Sequence, residues 1–127
     1  MKSDATMRVL IVEPGKAPRE AVIAHTLEAM QAVVGGPIQA VYPFEEPIAL
    51  ICNVESKSLG LPWNRMLRDS SGEIYDIIAG TFFLCAAPKD SESFEGLTEN
   101  QVQAYTKRLA HPEYFLRTSQ GLMVLVL

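Results

Sequence analysis

The chain has 127 residues, 48% of them hydrophobic and 20% charged, with a net charge of −4. That length suits one domain, since dividing it would leave two cores too small to offset chain ordering, and the apolar share argues against disorder. The eleven Lys and Arg are scattered, so the basic patch that tight duplex binding requires is missing and nucleic acid is not expected as a direct partner.

No apolar stretch approaches the roughly 20 residues that span a bilayer, and Met1 to Thr6 does not resemble a signal peptide, so a cytoplasmic setting without membrane partners is expected. Cys52 and Cys85 lie inside apolar runs, where a reduced cysteine behaves as a small hydrophobe; a disulfide would need two strands to place them side by side.

Residues 1 to 6 read as a loose tail ahead of a single domain over 7–127. Met7 to Glu13 is a buried strand, rich in β-branched residues and closed by Pro14-Gly15. Arg19 to Ala24 reads as a short second strand. Thr26 then offers an N-cap for a helix with Leu27, Met30, Val33 and Val34 at helical spacing, which Gly35-Gly36-Pro37 stops. Ile38 to Tyr42 and Ile48 to Cys52 are β-like runs joined closely enough to make an antiparallel hairpin.

Pro62 is placed as the first residue of a short helical segment through Arg68, with Trp63 and Leu67 on its core face and Asn64, Arg65 and Arg68 on the other. Ile74 to Ala87 is the longest apolar run. Gly80 divides it, which suggests a bulge or close backbone approach, and the run is a candidate central strand long enough to bend into two. Thr98 and Gln101 form a capping box for a second helix, with Leu97 and Val102 spaced as a hydrophobic staple and Gln103, Lys107 and Arg108 facing water. His111-Pro112 ends that helix. Tyr114 to Arg117 and Leu122 to Leu127 read as a closing strand pair. The class is α+β: a mixed, mostly antiparallel sheet with two main helices and the short segment near 62–68.

Chemistry is best sought between Asn53 and Asp76. On a helix, Asn64, Arg65 and Arg68 would present two guanidinium forks and an amide to one anionic ligand, a task for which Arg geometry is suited. Against this stands an ordinary ion pair from Arg65 to Asp69 with Arg68 capping nearby carbonyls. Asn53 ends a buried strand and Asp76 interrupts an apolar run, so both need partners; Asp76 could pair with Arg65 or Arg68 in an ordering network. The sharper alternative is a ligand pocket formed by Asn53, Asn64, Arg65, Arg68, Tyr75 and Asp76. His25 and His111 show no metal-ligand spacing, no cofactor is implied, and the sequence Gly15-Lys16 lacks the remaining glycines of a phosphate loop.

Arg8 to Lys16, Leu27-Glu28, Val34-Gly35-Gly36, Ala40 to Phe44 and Ala49 to Asn53 together resemble a bacterial and phage family, domain of unknown function 3846. The likeness runs on through Gly60-Leu61-Pro62, Asn64-Arg65, Leu67-Arg68, Ile74 to Phe83 and Phe115-Leu116-Arg117, covering about residues 7–127. This resemblance implies an accessory role in phages, plasmids or conjugative elements, sometimes among antirestriction genes, inside a bacterial host. It carries no settled activity to these positions.

The favoured expectation is a non-enzymatic binding protein of a mobile element that sequesters a small anionic, nucleotide-like ligand or masks a host defence component. The rival is a protein-interaction module using acidic residues such as Glu45, Glu46, Glu92 and Glu95. A small hydrolase or transferase, with Asp76 as its acid or base, is the less favoured third. A free sheet edge would allow a homodimer.

Overall fold

The computed structural model describes residues 5–126. In chain order the elements are β1 (Thr6–Val12), β2 (Arg19–Ala24), α1 (Leu27–Val34), β3 (Ile38–Val41), β4 (Ile48–Asn53), β5 (Trp63–Arg68), β6 (Ile74–Ala79), β7 (Phe82–Ala86), α2 (Glu99–Arg108), β8 (Glu113–Thr118) and β9 (Gly121–Val126). Five strands form a sheet in the order β2-β1-β7-β4-β3, while β5-β6 and β8-β9 form separate two-stranded ribbons. All strand pairs among the described residues are antiparallel, giving an α+β fold.

The central strands β1, β4 and β7 are apolar on both faces because both faces are covered. Val9, Ile11, Ala49, Ile51, Phe83 and Cys85 pack with Met30 and Val34 of α1. Their neighbours Leu10, Val12, Leu50, Phe82 and Leu84 point the other way, onto Val102 and Tyr105 of α2 and onto Leu67 and Ile78 of the β5-β6 ribbon. Alternation along each strand thus becomes two cores, one on each side of the sheet. Both cysteines are free and buried within them.

Helix boundaries follow local chemistry. The Thr26 hydroxyl accepts from Ala29 N, and Gly35 closes α1 in the left-handed conformation. At α2 the Thr98–Gln101 capping box is present in both directions, and Leu97 and Val102 are buried in the same cluster. Gly80, at φ +76°, separates β6 from β7, so the long apolar run serves two sheets; a Cβ there would lie 2.8 Å from Leu61 Cδ1. The bend and close approach expected at this glycine are both present.

Two boundaries differ from expectation. Residues 62–68 are not helical: Trp63–Arg68 pairs with β6, and Pro62 O accepts from Gly80 N at 2.7 Å. The i, i+4 pattern that suggested a helix is produced by a strand whose register shifts between Trp63 and Arg65, which inserts Asn64 as an extra residue and turns both Asn64 and Arg65 inward. The supposed tail is also shorter, since Thr6 already pairs with Ala24; residues 1–4, like Leu127, lie outside the described residues.

Candidate functional site

Asn64 and Arg65 are buried to 0% and 1% exposure, an unusual position for adjacent polar residues on a strand. Asn64 Nδ2 donates to Val12 O and to Gly80 O, both at 2.9 Å, tying the ribbon to the end of β1 and to the β6-β7 bend. Its Oδ1 accepts from Arg65 Nη1 at 2.9 Å. Arg65 Nη1 also reaches Asn64 O, and Nη2 donates to Lys16 O and Leu109 O at 2.8 and 3.0 Å. Leu109 caps the C-terminal end of α2, where the helix dipole favours a cation.

These bonds occupy four of the five guanidinium N–H groups. The fifth, on Nε, is the one buried side-chain nitrogen or oxygen left without a partner among the described residues. Burial pulls the guanidinium below its usual pKa, and neighbouring Glu113 pushes it back up. No carboxylate comes within ion-pair distance: the three ion pairs among the described residues are Arg8–Glu20, Arg19–Glu13 and Lys57–Asp76.

Arg65 lines a pocket of about 190 Å³ between the β5-β6 ribbon and the end of α2, with apolar walls from Phe44, Leu50 and Phe82. Glu113 is also part of its lining. That side chain accepts the Met66 N–H at 2.8 Å through Oε1. Burial raises the Glu113 carboxyl above its ordinary pKa, while the Met66 hydrogen bond, Arg65 and Arg68 oppose the rise.

The pocket shares Pro43, Arg68 and Arg108 with an open cleft of about 640 Å³. Tyr42 and Tyr75, 61% and 55% exposed, line this cleft beside the two arginines. A second register shift, between Leu67 and Arg68, makes Tyr75 the extra residue of its strand. Arg108 lies 4.6 Å over the Phe44 ring, and Arg68 donates to Gly72 O at 2.6 Å. Cleft and pocket together place three guanidinium groups and four aromatic rings around one connected space. Two carboxylates, Glu45 and Asp69, stand at the rim; Asp69 is engaged by Ser71 and by the Glu73 N–H, which hold its carboxyl below the usual range.

Of the six residues singled out in the sequence, Arg65, Arg68 and Tyr75 meet in this space, with Asn64 directly behind Arg65. Asn53 does not join them. It closes α1 onto β4, donating to Val34 O at 3.3 Å and accepting from Glu55 N at 2.8 Å. Asp76 pairs with Lys57 rather than with Arg65 or Arg68, and Arg65 makes no ion pair to Asp69. Sequence reasoning missed Tyr42, Phe44, Arg108 and Glu113, which only long-range packing brings to the pocket and cleft; in the sequence Arg108 reads simply as part of a solvated helix face.

A further cavity, about 540 Å³, lies on the α1 side where His25 Nε2 is 2.6 Å from Phe94 O, but no arginine or lysine lines it. Among the described residues there is no group of three or more His, Cys, Asp or Glu placed to hold a metal ion, and no helix is long and apolar enough to cross a membrane.

Fold and site therefore define an α+β domain with an arginine-lined cleft at the junction of a strand ribbon and a helix C-terminus. The chain belongs to the family described as domain of unknown function (DUF3846), whose model matches residues 7–110. No curated protein and no solved structure matches it.

Proposed function

We propose that this chain is a binding protein for a small anionic, nucleotide-like ligand, held in the cleft between the β5-β6 ribbon and α2. The observation that carries this reading is the convergence of Arg68 and Arg108 with exposed Tyr42 and Tyr75 on one cleft, with Arg65 beneath it. Arginine forks match phosphate or carboxylate oxygens, and tyrosine faces accept a stacked ring. The rim carboxylates would disfavour a highly charged anion and leave a monoanionic or dianionic group as the better match.

Sequestration is the mode of action that fits best: the cleft residues supply donors and stacking surfaces, whereas the Asp76 once suspected as an acid or base is paired with Lys57 away from the cleft. The family resemblance supports an accessory role in a phage or mobile element within a bacterial host. Titration with nucleoside monophosphates, repeated on the Arg68→Ala/Arg108→Ala double variant, tests the reading. Binding that the double variant weakens at least tenfold supports it, and nucleotide binding unaffected by the two substitutions would reject the cleft as the site.

A further inference from the structure

The β8-β9 ribbon is apolar on both faces, yet only one face is covered. Phe115 and Val124 of the inner face are half-buried, with the Phe115 ring 6.5 Å from Trp63. The outer face pairs Tyr114 with Leu125 and Leu116 with Met123, all four exposed, and no charged residue interrupts it. The solvated face of an antiparallel sheet is ordinarily polar. The outer edge is equally bare, because β9 pairs with β8 alone. The two-residue connection makes Thr118 and Gly121 a hydrogen-bonded pair, so alternation along the ladder turns the N–H and C=O groups of Leu122, Val124 and Val126 away from β8. Among the described residues no backbone group outside the ribbon bonds to them.

The other edges carry features that discourage pairing with a second chain. β2 begins with Arg19 and Glu20, and β3 has four residues flanked by Pro37 and Pro43. β6 is broken by a register shift and holds Asp76 in its ion pair with Lys57, while Glu113 of β8 reaches Met66 of β5. β9 has no charge, no proline and no register shift. Two chains of net charge −4 repel each other over most of their surface, so they meet with least opposition where neither brings a charge. A two-fold axis beside an edge strand generates an antiparallel pair, and every register within Leu122–Leu125 sets apolar against apolar. We infer that the protein forms a homodimer in which β9 pairs antiparallel with β9 of a second copy, joining the two ribbons into one four-stranded sheet. Main-chain hydrogen bonds supply the attachment, and the exposed leucine and methionine side chains supply apolar contact beside them.

Size-exclusion chromatography with light scattering of the full chain, from micromolar to submillimolar concentration, tests the assignment. The expected mass rises with concentration to twice the 14.0 kDa of one chain. Val124→Pro removes an outward-facing N–H, a change that an edge strand tolerates, and Met123→Lys/Leu125→Lys brings like charges together across the axis while keeping the β8-β9 ladder. Each should weaken dimerisation by roughly tenfold or more. Should the proline variant unfold, the lysine variant, checked for the parent's circular dichroism, still decides. Amide exchange gives the register of the contact: Leu122 and Val124 should be protected in the dimer and exchange freely on dilution. A mass of 14.0 kDa at every concentration, a dimer that the lysine variant leaves intact, or assembly beyond two copies would overturn the inference.

Discussion

Asn64 Oδ1 accepts a hydrogen bond from Arg65 Nη1 at 2.9 Å, and this bond joins two buried neighbours whose other donors reach β1, the β6-β7 bend, the loop at Lys16 and the end of α2. The pair is thus a structural joint and the floor of the candidate site at once. Its geometry separates residues whose loss should unfold the protein from residues whose loss should only empty the cleft.

Asn64→Ala removes the donor from Val12 O and Gly80 O and an acceptor from Arg65. Each buried group left unsatisfied costs about 1–3 kcal/mol, so a loss of about 3 kcal/mol or more is expected in urea denaturation. Arg65→Ala should be at least as damaging, since it strands the carbonyls of Lys16 and Leu109. A variant at either position with unchanged midpoint and slope would show that the network is not holding the ribbon.

Arg68→Ala and Arg108→Ala, by contrast, touch exposed side chains. Arg108 gives up its placement over Phe44, worth about 0.5–1 kcal/mol at an exposed site. Both variants should therefore melt within a few degrees of the parent while losing anion binding. A large drop in melting temperature would place these arginines in the fold rather than the site.

The core was largely legible in the sequence because apolar runs and caps act locally: the strands around Val9–Val12 and Leu50, the Thr26 cap and the Thr98–Gln101 capping box all lie where pattern and side-chain chemistry put them. The segment 62–68 was not. Pro62 and the spacing of Trp63 with Leu67 mimic a helix start, and a strand with buried Asn and Arg contradicts the apolar-in rule that makes strands recognisable. Only tertiary partners, the carbonyls of Val12, Lys16, Gly80 and Leu109, make that burial tolerable, and none is near in sequence. Half of the site was hidden for the same reason, because Arg108 and Glu113 reach the cleft from α2 and β8.

Gly80 is a local test of the bend. Its φ of +76° lies where L side chains are strained, and the added methyl would press on Leu61. Gly80→Ala should cost about 1–2 kcal/mol or more. Thermal denaturation at parental stability would mean that the bend relaxes freely.

Burial pushes Cys85 up to about 12 and raises Cys52 as well, and it is the thiolate that reacts. Neither cysteine should be alkylated by iodoacetamide at pH 8 until the chain unfolds, so native mass spectra should stay unlabelled over hours. Rapid labelling of the native protein would contradict the burial of both strands.

Tyr105 donates to Glu46 from a buried position, and burial, this hydrogen bond and the Glu46 charge push its phenol up to about 12 from an ordinary 10. The folded state therefore holds this proton more tightly than the unfolded chain does. Its contribution to stability is complete below pH 10 and is lost as pH rises toward 12. Tyr105→Phe should be less stable than the parent at neutral pH, and the gap should narrow above pH 10. A gap that stays constant to pH 11.5 would mean that the phenol is not held in this way.

Native mass spectrometry of the protein purified gently from a bacterial host tests the central claim most directly, since it weighs whatever the cleft retains. The account predicts an adduct of nucleotide mass that is absent from the Arg68→Ala/Arg108→Ala variant. A parent protein that flies bare, or an adduct that survives in the double variant, would contradict it.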